Sequence, residues 1–379
     1  MIAVIADDFT GAAELAGICV RYHLHVELAT EVGHSTNVDV FILATDCRSM
    51  KEEQAVTEMK KHTQALLALL PSWIFKKTDS VLRGHILAEM AAQLTVTGYE
   101  KAVLVAANPA LGRTIIDGLY FLQGQPVHET SFSHDPHFPV VSSSVKDMLR
   151  ADGYPVHLEK STGSLPDKGI VVGDVESVED LTKWAAHIDH KTLAAGASGF
   201  FEAILKSRNV TGSSTMTHTS TAAQNSGTSK SLFVCGTTFS NSRNAIEKIY
   251  LNRGSVSYMP EEIIDTVQWA DEVTALVKRH GKAIVAIHGG LTGNSADPNK
   301  LRTRMAALVS EVLQRNIIQE LIIEGGATSW AVIQQSGLTQ FLPVEEMAPG
   351  VVRMQVIDTN LFLTVKPGSY QWPAGMWDF

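Results

Sequence analysis

The sequence predicts an α/β protein of two domains, each with a mostly parallel sheet flanked by helices. Three observations carry this expectation. Short apolar runs alternate with segments of helical periodicity along both halves of the chain, the pattern of βαβ units. The 379 residues exceed one ordinary core. Asn209 to Lys230, rich in Ser, Thr and Gly, has too few large apolar residues to build a core. The expected boundaries are therefore a first domain over 1–208, a linker or exposed loop over 209–230, and a second domain over 231–379.

The first domain opens with strand Ile2 to Ala6, followed by Asp7, Asp8 and a helix from Gly11 to Ile18 with Thr10 as its N-cap. His25 to Ala29 and Val38 to Ala44 read as strands, the latter ending at Thr45-Asp46-Cys47-Arg48. Lys51 to Leu70 is a helix stopped by Pro71. Trp73 to Lys77 is a strand running into Thr78-Asp79-Ser80, and Val81 to Thr95 reads as the next helix. Lys101 to Ala106 is a further strand. Leu111 to Val141 is an irregular excursion rich in Gly, Pro and His, with a hairpin around Gln123-Gly124; so long a departure inside a compact domain is usually functional. Strands Pro155 to Glu159 and Gly169 to Val172, a helix from Ser177 to His187, and the Leu193–Gly199 run into helix Phe200 to Lys206 resume the alternation.

The second domain restarts with strand Ser231 to Cys235 and a helix from about Ser240 to Tyr250. Strand Val256 to Met259, helix Thr266 to His280, strand Ala283 to His288 and helix Asn299 to Arg315 follow. Strand Leu321 to Glu324 and helix Thr328 to Gln335 precede a hairpin of Val351 to Val356 with Leu361 to Val365.

A net charge of −9 without any Lys/Arg run argues against nucleic acid or an anionic membrane as partner. It leaves room for an anionic small molecule, which needs only a local cluster of cations. Three widely spaced cysteines form neither a disulfide framework nor a metal motif. With no signal-peptide pattern and no long apolar run, a cytoplasmic location is expected.

Chemistry concentrates in three places. Asp7 and Asp8 stand at the C-terminal end of a parallel strand, where ligands of such sheets bind. One reading is a solvated loop with a capping Asp. The other is that they hold hydroxyls of a polar substrate or take a proton from one. In KKTDSVLRGH only one of Lys76 and Lys77 can face a site, since they alternate on a strand. Arg83 and the next helix N-terminus suit a carboxylate or phosphate, and surface cations with an Asp cap are the alternative. Arg113 is a further cation in the excursion, while His128, His134 and His137 are too irregularly spaced for a metal, and none is placed there. In the second half, Gly236, Gly325 and Gly326 lie between strands and helices, where backbone amides approach an anion closely. No Walker loop, G-x-G-x-x-G, H-E-x-x-H or G-x-S-x-G occurs.

IADDFTGAAELAG, KKTDSVLRGH, the NPALGRTIIDG…GQPVHET…DP segment, AAGASGFFEAIL, the GTT…SxSRNAI turn, EGGATS and KPGS resemble the four-carbon acid sugar kinases over nearly the whole chain. The resemblance implies an N-terminal domain for the sugar acid, a C-terminal domain for ATP with its Mg²⁺, and an active site in the interdomain cleft. It implies phosphorylation of the terminal hydroxyl of a D-threonate, erythronate or 3-oxo-tetronate, with a sensor that binds both ligands without turnover as the alternative. It places Asp8, Lys77, Asp79 and Arg83 at the substrate, and Ser240 or Ser242, Gly325, Gly326, Ala327, Thr328, Ser329 and Gly368 at the nucleotide. The reading of the residues adds Arg113 at the substrate, Gly236 at the nucleotide, and Asp7 or Asp8 as the catalytic candidate. The chain departs from the family pattern at Ala327, where an acidic residue is frequent, and at Gln371, where glycine is usual. The partner expected is a small sugar acid, and a homodimer is compatible with this reading.

Overall fold

A computed structural model describes residues 1–33, 37–135, 138–212, 229–236, 240–252, 254–261, 265–288, 297–376 and 379, with the backbone alone at 134, 240 and 241. Most of the expected linker, the Thr237-Thr238 turn, Gly289-Gly290 and His137 lie outside the described residues. The chain divides into two compact units, Met1–Val26 with Thr30–Ser213, and Glu27–Ala29 with Ser214–Phe379.

The first unit is built from β1 (Ile2–Ala6), α1 (Phe9–Arg21), β2 (Val26–Ala29, mostly in the second unit), β3 (Val40–Ala44), α2 (Glu52–Ala68), β4 (Trp73–Lys77), α3 (Ile86–Thr97) and β5 (Lys101–Val105). Then come β6 (Arg113–Ile116), β7 (Leu119–Leu122), β8 (Gln125–Pro126), α4 (Val145–Met148), β9 (Val156–Lys160), β10 (Gly169–Asp174), α5 (Val178–Ala186), β11 (Thr192–Gly196) and α6 (Ser198–Ser207). Its sheet runs β3-β1-β4-β11-β5-β10-β9, with parallel pairing throughout. β1 and β3 are buried along their whole length, which is why they read as unbroken apolar runs. Small residues such as Ala12, Ala13 and Ala16 let α1 lie close on that sheet.

The excursion forms its own antiparallel sheet, β6-β7-β8. The expected hairpin at Gln123-Gly124 joins β7 to β8, and a second one at Asp117-Gly118 joins β6 to β7.

The second unit contains β12 (Ser231–Cys235), α7 (Ser240–Leu251), β13 (Val256–Tyr258), α8 (Thr266–His280), β14 (Lys282–Ala286), α9 (Pro298–Gln314), β15 (Glu320–Glu324), α10 (Gly326–Gln335), β16 (Gln340–Ala348), β17 (Val351–Val356) and β18 (Phe362–Lys366). β13-β14-β12-β15-β18 is parallel, and β17, β16 and the end of β2 add on antiparallel.

Three local expectations are corrected. α1 begins at Phe9, and its N-cap is Asp8, not Thr10, because the Asp8 carboxylate accepts from the Gly11 amide at 2.8 Å. α3 begins at Ile86 rather than Val81, since Leu82 and Gly84 have φ of +61° and +99° and no helix passes through such residues. Asp79 and Ser80 therefore do not cap it. β16 escaped the sequence reading because Pro343, Glu345 and Glu346 break its apolar pattern, and its pairing with β17 shifts register at those residues.

Candidate functional site

β1 is flanked by β3 and β4 in register, so that Ala6 lies beside Ala44 and Lys77. The segments leaving these three strands therefore meet at one edge of the sheet, and charged side chains from each converge there. Arg48, just past β3, forms a two-pronged pair with Asp7, Nε to Oδ2 and Nη2 to Oδ1, both at 2.9 Å. Its Nη1 lies 3.4 Å from Asp8 Oδ2 and 3.5 Å from Asp79 Oδ1. One guanidinium thus bridges the three carboxylates that the sequence singled out.

Asp79 accepts from the amides of Val81 and Arg83, and from Arg83 Nε and Nη2 at 2.8 Å each. Arg83 Nη1 reaches Asp135 Oδ2 at 2.7 Å, tying the excursion to this edge. Phe132 lies beneath both cations, its ring centroid 5.3 Å from Arg83 and 6.0 Å from Arg113. Arg113 donates to the Ser80 hydroxyl, and Tyr120 donates to the Ser80 carbonyl.

The two lysines of β4 separate by face, as a strand requires. Lys76 is buried against Glu89 of α3, 2.5 Å away. Lys77 donates to the Thr78 carbonyl at 2.9 Å and lies 3.5 Å from Glu14 of α1. Glu14 accepts from Ser198, which in turn accepts from Asn108, so β5 and α6 join the same network.

Burial raises the Asp79 carboxyl, but Arg83, Arg48 and Lys77 pull it down further and hold it well below the usual carboxylate range. Burial disfavours charge on Arg48 and Arg83 as well. Asp7, Asp8 and Asp79 more than offset this for Arg48, and Asp79 with Asp135 does so for Arg83, so both stay charged. Asp7 is buried within the lattice, 2% exposed, whereas the Asp8 and Arg83 side chains keep 14% and 22% exposure. With Arg48 at 15% and Asp135 at 19%, these side chains present the lattice to the outside.

In the second unit the arrangement is of another kind. Gly325, with φ +103°, turns the chain from β15 into α10, and Gly326 is the first helical residue. No side chain caps this helix, and its first turn carries no acid. The Ser329 amide bonds to the Gly325 carbonyl at 2.9 Å, and the amides preceding it, at Gly326, Ala327 and Thr328, have no hydrogen-bond partner among the described residues. Gly236 follows β12 so close to α10 that a Cβ there would fall 2.0 Å from Thr328 Oγ1. Ser329 turns its hydroxyl back to Gly325 O, and Ser242 donates to both oxygens of the buried Glu324. Gly368 is half-buried beyond β18. Ser240 opens α7, with its side chain outside the described atoms.

The structure thus brings Asp7, Asp8, Lys77, Asp79, Arg83 and Arg113 onto one edge of the first unit. In the second, Gly236 and Gly325–Ser329 gather at the start of α10. Sequence reasoning missed Arg48, Glu14, Asp135, Glu324 and Lys366. Arg48 and Glu324 close or follow strands expected in a parallel sheet, and that position was the available signal; Lys366 follows a strand expected only as half of a hairpin. No helix among the described residues is long and apolar enough to cross a membrane.

Comparison with known proteins adds the following. A model of a sugar-binding N-terminal domain matches residues 2–204, and a model of a nucleotide-binding C-terminal domain matches 252–370. A D-threonate kinase of Salmonella typhimurium is 30% identical over 228 residues, covering 53% of this chain and 52% of the relative. A D-erythronate kinase of Heliobacterium modesticaldum is 28% identical over 186 residues, covering 48% and 41%. The matches thus span about half the length of these two relatives. A 3-oxo-tetronate kinase of Methylobacterium radiotolerans is 24% identical over 412 residues, covering 97% and 96%. Among solved structures, a Salmonella typhimurium LT2 protein described as a tRNA synthase superposes with TM-score 0.74 at 18% identity, over 98% of this chain and 96% of that one. A Haemophilus influenzae protein superposes with TM-score 0.68 at 20% identity, over 97% of each chain. At such identities these structural likenesses concern the fold.

Proposed function

Because this chain belongs to the four-carbon acid sugar kinase family, we propose that it transfers the terminal phosphoryl group of ATP to the terminal hydroxyl of a four-carbon sugar acid. The observation that carries the reading is the carboxylate–guanidinium lattice at the edge of β1, β3 and β4, which keeps a carboxylate and a guanidinium within reach of a ligand. A sugar acid offers a carboxylate and several hydroxyls, and this lattice offers a partner to each.

Arg83 takes the substrate carboxylate. Two of its N–H groups are engaged by Asp79 and one by Asp135, which leaves donors in a fixed plane for a second anion. Arg113, held over the same ring, supports it. Asp8 rather than Asp7 receives the reacting hydroxyl. Asp7 spends both oxygens on Arg48 and is 2% exposed, whereas Asp8, which accepts from a helix amide and the Thr10 hydroxyl and lies 3.4 Å from Arg48, keeps 14% of its side chain exposed. Asp8 orients that hydroxyl and accepts its proton as the bond to phosphorus forms. Asp7 keeps Arg48 in place, and Arg48 keeps Asp8 and Asp79 apart as charged neighbours.

The uncapped start of α10 and the glycines beside it suit the phosphates of ATP, since backbone donors and the helix dipole favour an anion there. Mg²⁺ carried by the nucleotide would supply neutralisation of charge on its phosphates.

A thermal-shift screen of the whole chain tests the reading. Threonates, erythronates or 3-oxo-tetronates are expected to raise the unfolding temperature, and MgATP to raise it independently, because a ligand of the folded state stabilises it by mass action. Absence of any shift with all the acids would refute it.

A further inference from the structure

A buried ion pair in the second unit has been given no role so far beyond accepting from Ser242. Glu324 and Lys366 end β15 and β18 and are register partners, so their side chains stand side by side. They lie 3.2 Å apart, and both are at most 1% exposed. Burying such a pair costs more than packing apolar residues of the same size, so stability alone does not account for it.

The surroundings show what the pair holds. Lys366 Nζ donates to three main-chain carbonyls of the segment that follows it, Pro367 at 3.0 Å, Gly368 at 3.4 Å and Tyr370 at 2.6 Å. The Lys366 carbonyl accepts from the Gly325 amide at 2.9 Å, at the entry to α10. Glu324 accepts from Ser242 near the start of α7 and from the Trp372 indole at 2.8 Å. The Trp372 ring in turn lies 5.2 Å from the ammonium. A cluster of two charges therefore fastens the start of α7, the entry to α10 and the turn after β18.

We propose that Lys366 is a positioning residue, and Glu324 its counter-charge, which together set the three backbone segments that receive the nucleotide phosphates. Lys366 does not touch the nucleotide. Its donors are spent on carbonyls, turning the C=O groups of Pro367, Gly368 and Tyr370 inward, away from an incoming polyanion. An apolar residue at 366 would free those carbonyls to face the phosphates and repel them. This rests on the nucleotide reading of the second unit given above.

The test compares the whole protein with Ser242→Ala, Lys366→Met and the double variant Glu324→Gln/Lys366→Met, measuring MgATP and sugar-acid KM together with kcat. The double variant leaves no bare buried charge and keeps an acceptor for Ser242 and Trp372, so it guards against loss of folding. The expected result is a KM for MgATP raised about tenfold or more in both Lys366 variants, the scale of losing one or two charge-assisted hydrogen bonds. Ser242→Ala should show a smaller rise. The sugar-acid KM should stay largely unchanged in all three, because the altered residues make their hydrogen bonds within the second unit. Parallel changes in both KM values and kcat would indicate general disruption and overturn the proposal, as would an unchanged MgATP KM in the double variant. If the unaltered protein binds no MgATP by calorimetry, the nucleotide reading itself fails and takes this inference with it.

Discussion

Two helix starts in this molecule are built in opposite ways. α1 is closed by its own chain: Asp8 caps it and Arg48 lies against that carboxylate. α10 begins on Gly325 with no side-chain cap and no acid in its first turn. In the first unit, charge is matched by charge, side chain to side chain. In the second, the helix starts on glycine backbone, and a buried pair of charges, Glu324 and Lys366, lies at the ends of the two strands beside it. The contrast teaches that, under the proposed function, recognition in the first unit would be a property of side-chain identity. In the second it would depend on main-chain conformation, where glycines and an interior ion pair decide the shape.

The largest effect should come from removing the hub of the side-chain lattice. Arg48→Ala strands Asp7, 2% exposed, without its two-pronged partner. The unfolding free energy from urea titration should fall by about 3 kcal/mol, the scale for breaking one side of a buried pair. A loss below about 1 kcal/mol would mean that the lattice is ornamental.

Acid should loosen the same lattice. Asp79 is held below the ordinary carboxyl range in the folded protein, so it contributes stability that is whole above the unfolded value of about 3.9 and is lost as pH falls toward its folded value. Stability should therefore drop below about pH 4, and Asp79→Asn should flatten that drop. Identical slopes for the variant and the parent from about pH 5 to 2.5 would exclude Asp79 as a source.

The backbone surface breaks by a different route. Gly325→Ala imposes a side chain on φ +103° and should cost about 1–2 kcal/mol. Its larger signature should be weaker MgATP binding with sugar-acid binding intact, read by calorimetry. Equal losses of both ligands would erase the contrast between the units. The smallest effect belongs to Asp135→Asn, which removes the charge of one of Arg83's two acidic partners while Asp79 holds the other side. Sugar-acid affinity should change by threefold or less, with stability within about 0.5 kcal/mol.

How much of this was legible in the sequence depends on how local each feature is. The strand–turn–helix alternation was plain because β1 and β3 are buried on both faces and so read as unbroken apolar runs. The excursion announced itself by length and composition, though only one of its two hairpins was seen. β16 was hidden because a half-exposed strand next to an antiparallel neighbour tolerates Pro343 and paired glutamates. Arg48 could not be assigned to Asp7 from spacing, since forty-one positions separate them and only the β1–β3 register brings them together. Glu324 and Lys366 were missed for the same reason: each looks like an ordinary strand end until β15 and β18 are known to be parallel neighbours. The α3 boundary failed because a left-handed Leu82 leaves no trace in composition.

The central claim is that a side-chain lattice for an acid and a backbone surface for a nucleotide serve one phosphoryl transfer. Its most direct test is coupled detection of ADP from MgATP with each four-carbon sugar acid in turn. The account requires ADP release only when an acid is present, matched by a product phosphorylated at its terminal hydroxyl. Calorimetric binding of both ligands with no ADP formed from any of the acids would contradict it.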